Sequence, residues 1–216
     1  MNFDKRALLL YAVTDRAWLN GESLAAQVER ALRGGATMIQ LREKTLDERD
    51  FVAEARQLKT LCAAFGVPFL INDNVALAVA VDADGVHVGQ SDMEAVNARQ
   101  AIGPGKILGV SASTPPQARL AARQGADYLG VGAVFPTGTK TDADAVSLAV
   151  LREICSAAAI PAVAIGGITA ENMGRLAGSG ICGVSVISAI FGQPDIEQAA
   201  RTLKSRAAAL FGEVKG

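Results

Sequence analysis

One pattern constrains this chain more than any other: a short apolar run followed by an amphipathic helical stretch, repeated eight times. The runs span residues 8–14, 38–41, 69–71, 85–88, 107–110, 128–134, 162–165 and 183–187. They are rich in Val, Ile and Leu and lack polar alternation, which suits strands buried on both faces of a parallel sheet. Between them, helices are expected over 24–33, 47–64, 75–81, 94–102, 115–124, 148–158 and 171–176, with a last one over 195–210. Helix signals frame them. Ser23 stands before the first and Gly34-Gly35 behind it, Gly66 closes the second ahead of Pro68, and Pro115-Pro116 opens the fifth. Eight strand–helix units close into a barrel with helices outside, so the expected fold is α/β, a (β/α)8 TIM barrel. A doubly wound open sheet is the rival. It ranks lower because the count is eight and no G-x-G-x-x-G follows the first run. With 216 residues the chain is short for such a barrel, so its loops must be short. No linker or low-complexity segment divides it, and residues 1–216 read as one TIM-barrel catalytic domain.

Charge and cysteine usage exclude several classes of function. Lys plus Arg number 21 against 22 Asp plus Glu, so there is no basic excess for a nucleic-acid partner. The first apolar run is too short to span a bilayer, no cleavage site follows it, and no other stretch reaches spanning length without charge. The three cysteines, Cys62, Cys155 and Cys182, form no metal-spaced pair and read as small core residues of a protein in the reducing cytoplasm.

In barrels of this kind the active site lies where the strands end. Gln40-Leu41-Arg42-Glu43-Lys44 closes the second strand, and the two-residue period puts Gln40, Arg42 and Lys44 on one face. The alternative is an ordinary polar strand end with Arg42 paired to Glu43 or Glu48. The other ends add Asp15, Asn72, Asp73, Ser111, Thr137, Thr139, Lys140, Gly166, Gly167 and Ser188, with Asp92 in the loop after the fourth strand. Asp73 and Asp92 lie on adjacent loops. Two carboxylates without a nearby His or Cys favour Mg2+ over Zn2+, although spacing alone favours helix capping for both. Gly166-Gly167 and the segment around Ile187 and Ser188 follow strands seven and eight, where this fold binds phosphate through backbone N–H groups. A plain tight turn is the alternative. Thr137-Gly138-Thr139-Lys140 offers two hydroxyls and a cation, or is simply a surface loop. Arg42, Lys44 and Lys140 together suit a diphosphate with Mg2+. His87, the single histidine, reads as a packed strand residue, and no G-x-S-x-G elbow exists to build a triad. Trp18 is expected to pack near the first loop.

Taken in order, these segments resemble the thiamine phosphate synthase family over nearly the whole chain. The matching pieces are Tyr11-Ala12-Val13-Thr14-Asp15, Gln40 to Lys44, Ile71-Asn72-Asp73, Gly85 to Gln90 with Asp92, Gly109-Val110-Ser111, Gly130-Val131-Gly132 leading to Phe135 through Lys140, Ala164 to Ile168, and Val186-Ile187-Ser188. The resemblance implies a transferase that joins a hydroxymethylpyrimidine diphosphate to a thiazole phosphate, releasing diphosphate and making thiamine phosphate. It implies that Gln40, Arg42, Lys44, Asn72, Ser111 and Lys140 hold the pyrimidine diphosphate, with Arg42, Lys44, Ser111 and Lys140 acting in catalysis. It further implies Asp73 and Asp92 as Mg2+ ligands, and Thr137, Thr139, Gly167, Ile187 and Ser188 around the thiazole phosphate. The family's reaction is dissociative, so charge builds on the departing diphosphate and no general base is needed. Partners are then two small phosphorylated heterocycles, with no nucleic acid and no membrane; a homo-oligomer is compatible with this reading. Two competitors remain. A thiazole tautomerase, an isomerase of the same fold, needs no diphosphate site, which the cation set argues against. A non-catalytic phosphate-binding barrel would not need the metal carboxylates.

Overall fold

The computed structural model describes residues 3–137 and 145–212. Eight parallel strands run round a closed barrel in chain order: β1 (Leu10–Val13), β2 (Met38–Leu41), β3 (Phe69–Asn72), β4 (Gly85–Val88), β5 (Ile107–Ala112), β6 (Tyr128–Val131), β7 (Ala162–Ile165) and β8 (Gly183–Val186). Closure is direct, with Tyr11 of β1 in register with Met38 of β2 on one side and with Ser185 of β8 on the other. The helices are α1 (Leu24–Arg33), α2 (Glu48–Ala64), α3 (Val75–Ala80), α4 (Ala95–Ile102), α5 (Pro115–Arg123), α6 (Leu148–Ala157), α7 (Ser188–Phe191) and α8 (Ile196–Phe211). None of the described helices is long and apolar enough to cross a membrane.

Local chemistry sets the helix starts. Ser23, Asp47, Asn74, Ser147 and Asp195 each accept a first-turn amide, and Thr114 with Gln117 forms a capping box in front of Pro115. Several stretches differ from the sequence reading: the run expected over 8–14 is strand only from Leu10 to Val13, behind a 3-10 turn at Lys5–Leu8, and the run expected over 128–134 is strand only as far as Val131. The helix expected over 171–176 is a 3-10 turn, Met173–Leu176, in a glycine-rich connection too short for an α-helix. The four-residue α7, one residue beyond β8, is too brief to show a helical period.

Side chains alternate across the barrel wall. Outward residues such as Ile39, Leu41, Val86, Val88, Val184 and Val186 join the helices in one continuous apolar shell. Inward residues form a separate, smaller cluster of Leu8, Tyr11, Val13, Met38, Leu70, Tyr128 and Val163. The inner cluster fills the lower barrel. Above it the inward positions turn polar or small: Gln40, Asn72, His87, Ser111, Gly130 and Ser185.

At the end where the strands begin, charges close on the chain's own backbone. Arg99 donates to the carbonyls of Gly103, Lys106 and Gly125 and pairs with Asp127 at 2.6 Å. Asp127 also accepts the Leu108 amide, and Asp84 accepts that of Phe69. Asp82 holds Lys106 and Lys59, which bring its carboxyl down to about 2.

Candidate functional site

The strand ends surround a cavity lined by Tyr11, Gln40, Arg42, Asn72, Asp73, His87, Gln90, Ser111, Ser113 and Thr137 among its polar residues. The loop after β2 supplies its cations. That loop is folded around one carboxylate: Glu43, whose side chain is 1% exposed, accepts the amides of Lys44, Thr45 and Leu46 and pairs with Arg16 at 3.1 Å. Burial opposes ionisation of Glu43, yet these bonds hold its carboxyl below the ordinary value. The loop so fixed puts Arg42 into the cavity, 3.2 Å from Asp15 and not on Glu43 or Glu48. Lys44 stands at the edge, its Nζ 2.9 Å from Asp73 Oδ2.

Neither Asp73 nor Asp92 caps a helix. Asn74 caps α3, accepting the Leu77 amide, and the start of α4 at Glu94 has no side-chain cap bond. Asp73 instead takes a left-handed backbone, φ 61°, and donates its amide to the His87 carbonyl, which locks the end of β3 to β4. Asp92 accepts the Gly89 amide at 2.7 Å. The two carboxyls lie within hydrogen-bonding reach of each other and titrate apart. Burial pushes Asp73 up, but bonds from Lys44 and Asp92 bring it below its usual value; burial and the Asp73 charge push Asp92 above it. Such a pair repels itself when both members ionise. Among the described residues no third His, Cys, Asp or Glu joins them as a ligand. Two hard oxygen donors with room for phosphate and water fit the way Mg2+ is usually bound.

A second cavity opens beside the first, lined by Asp15, Trp18, Pro136, Thr137, Gly167, Thr169, Ile187 and Ser188. Trp18 thus packs at the first loop, as expected. Gly166 and Gly167 have φ of 101° and 61°, and a Cβ on Gly167 would stand 2.2 Å from the Pro136 carbonyl, so only glycine serves there. The Gly-Gly pair is both a tight turn and a cavity wall. Ser188 begins α7, whose start at Ile187 has no side-chain cap bond. Five residues, Thr137, Ile165, Gly166, Ser185 and Ile187, line both cavities.

The predicted candidates therefore fall into two groups. Gln40, Arg42, Asn72, Asp73 and Ser111 line the first cavity, with Lys44 and Asp92 bonded at its edge. Gly167 and Ser188 line the second, and Thr137 and Ile187 line both. Thr139 and Lys140 lie outside the described residues. Sequence reasoning passed over Tyr11, His87 and Ser185. His87 is packed in its strand, as expected, but it faces the cavity and bonds through both ring nitrogens. Ser185 is 2% exposed and its Oγ has no hydrogen-bond partner among the described residues. The signal for both was alternation: each sits between two valines of the outer shell, so each points inward.

Comparison with known proteins adds a family. Residues 10–190 match the family model described as thiamine monophosphate synthase. The thiamine-phosphate synthase of Clostridium novyi is 49% identical over 195 residues, covering 90% of this chain and 96% of that protein. Its counterpart in Ruminiclostridium cellulolyticum is 50% identical, covering 90% and 92%. Among solved structures, the thiamine phosphate pyrophosphorylase from Pyrococcus furiosus superposes with a TM-score of 0.89 at 38% identity, covering 96% of this chain and 99% of that one.

Proposed function

The chain belongs to the thiamine monophosphate synthase family, and we propose that it joins a hydroxymethylpyrimidine diphosphate to a thiazole phosphate in a Mg2+-dependent transfer, giving thiamine phosphate and diphosphate. The observation that carries this reading is the pair of adjoining cavities. One is edged by cations and paired carboxylates, the other by a Gly-Gly turn and a helix start, and they meet at a common wall where two substrates can touch.

In this reading Gln40, Asn72 and Ser111 orient the pyrimidine, while Arg42 and Lys44 bind the diphosphate. By sequence position Lys140 joins them. Asp73 and Asp92 would hold Mg2+, which when bound supplies positive charge to the leaving diphosphate. Lys44 bridges Asp73 until phosphate oxygens compete for its ammonium. The charge that develops as diphosphate departs then falls among groups already in place. Gly167, Ile187 and Ser188 with Thr137, and Thr139 by sequence, hold the thiazole phosphate so that the ring nitrogen faces the reacting carbon across the shared wall. That nitrogen carries its own lone pair, so no residue has to remove a proton. The three unpaired cysteines support a cytoplasmic setting. Burial pushes the Cys62 and Cys155 thiols up to about 12 and about 11, so neither is a ready nucleophile.

The test is incubation with both substrates and Mg2+. Diphosphate release matched by thiamine phosphate, and abolished by EDTA, is expected. Rearrangement of the thiazole phosphate alone, with no diphosphate released, would move the tautomerase ahead.

A further inference from the structure

Five side chains cross the barrel in one hydrogen-bonded line. The Gln40 amide nitrogen donates to the Tyr11 hydroxyl. The Tyr11 and Tyr128 hydroxyl oxygens are 3.0 Å apart, Tyr128 Oη lies 2.9 Å from His87 Nδ1, and His87 Nε2 lies 3.0 Å from Ser111 Oγ. Space for the line is cut by glycine. A Cβ on Gly109 would stand 2.2 Å from Tyr128 Cζ and 2.4 Å from His87 Nδ1, and one on Gly130 would stand 2.8 Å from His87 Cε1.

The direction of the line follows from counting protons. Burial raises both phenols above the ordinary value, so each keeps its single proton. Tyr11 already accepts the Gln40 N–H, so its own proton goes to Tyr128. Tyr128 in turn gives its proton to His87 Nδ1. A neutral ring that accepts at Nδ1 carries its hydrogen on Nε2, and Nε2–H donates to Ser111. The Ser111 hydroxyl, already an acceptor from His87, keeps its proton to give to the cavity. At the other end Gln40, one N–H of its NH2 group given to Tyr11, keeps Oε1 as its acceptor for the same cavity.

We propose that Tyr11, Tyr128 and His87 are positioning residues that polarise this line, fixing Gln40 as an acceptor and Ser111 as a donor toward the ligand. The ligand selected is a heterocycle that donates an N–H at one end and presents lone pairs at the other. An aminopyrimidine carrying a diphosphate has that arrangement, and to this extent the inference rests on the function proposed above. The line touches only the first cavity's recognition groups, so it acts on one substrate and not the other.

The chain has a single histidine, which makes the line directly observable. A two-bond proton–nitrogen correlation spectrum of the ligand-free 15N-labelled chain, at a pH of about 8 where an ordinary imidazole is neutral, shows one ring. We expect a hydrogen on Nε2, and an Nδ1 resonance displaced as for an accepted hydrogen bond, with that displacement lost in Tyr128→Phe. A hydrogen on Nδ1 in the parent overturns the proposal, and so does an Nδ1 resonance indifferent to Tyr128→Phe. Tyr128→Phe and Tyr11→Phe are each expected to raise KM for the pyrimidine diphosphate about tenfold, with KM for the thiazole phosphate within about twofold. Equal changes for both substrates, or none, would return the line to a purely structural role. Should Tyr128→Phe fail to fold, Tyr11→Phe and the parent spectrum carry the test. The spectrum is recorded without substrate, so it decides the line even if the parent releases no diphosphate, a result that would count against the proposed reaction alone.

Discussion

The two ends of the barrel carry the same kinds of charged residue and use them oppositely. Where the strands begin, Arg99, Asp84 and Asp127 are consumed by neighbouring carbonyls and amides, and Asp82 is held by two lysines. Where the strands end, two carboxyls face each other, and among the described residues Arg42 and Lys44 are tied to Asp15 and Asp73 and the Ser185 hydroxyl is buried without a partner. The lower end spends its charged groups on the fold, although Ser179, in the connection into β8, also buries a hydroxyl without a partner among the described residues. The upper end leaves them short of partners, and a polar group that is buried and incompletely bonded is a standing cost that a ligand can relieve. Stability and recognition are thus divided by position along the strands.

The largest effect should come from Arg99→Ala, which strips a single guanidinium from three carbonyls and a carboxylate. A loss of about 3 kcal/mol of stability is expected, with turnover per folded molecule unchanged. Chemical denaturation combined with kinetics reads both, and a fall in turnover of the folded fraction would erase the division. Asp73→Ala should do the reverse. Turnover should drop roughly a hundredfold while the melting temperature moves by no more than about 2 °C. Inactivity explained wholly by unfolding would place Asp73 with the lower-end residues.

Ser185→Ala sharpens the contrast. Removal of an unpartnered buried hydroxyl should stabilise the ligand-free chain by about 1 kcal/mol, while weakening at least one substrate severalfold. Loss of stability would mean that the hydroxyl serves the fold. Ser188→Ala, at the start of α7, should weaken the thiazole phosphate by about 1 kcal/mol, roughly fivefold, and leave the pyrimidine diphosphate alone.

The smallest effect is one of sign. Asp82 is held low by its lysines, so its contribution to stability is present above the ordinary carboxylate value of 3.8 and is lost as pH falls through about 2. Asp92 is raised, so its contribution is present in acid and lost as pH rises through its titration. In EDTA, Asp82→Asn should therefore melt below the parent at neutral pH and converge with it in acid. Asp92→Asn should melt slightly above the parent at neutral pH, again converging in acid. Melting curves that shift in the same direction for both variants would contradict the opposed roles.

Much of the fold could be read from residue order. β2, β4, β7 and α1 begin and end where the apolar runs and the caps at Ser23 and Gly34 put them, because strands buried on both faces leave little ambiguity in so short a run. α7 could not be read, since four residues carry no period. The site was readable where it depends on strand ends and unreadable where it depends on register. Asp73 and Asn74 are both good caps by type, and only the left-handed turn at Asp73 decides that Asn74 takes the role. His87 and Ser185 hid among valines, because alternation tells which residues share a face and not which face is the cavity.

The wall common to the two cavities has a consequence for inhibition. It consists of Thr137 beyond β6, Ile165 and Gly166 at the β7 end, and Ser185 and Ile187 of β8 and its end, each of which faces both cavities. Two separate ligands on either side each lose their own translational and rotational freedom on binding. A single molecule reaching across Thr137, Ser185 and Ile187 loses it once, and its second half binds at the effective concentration set by the linker. A covalently joined pair of weak fragments, each fitted to one cavity, should therefore bind far more tightly than either alone, and the best linker is the shortest that clears Ile187.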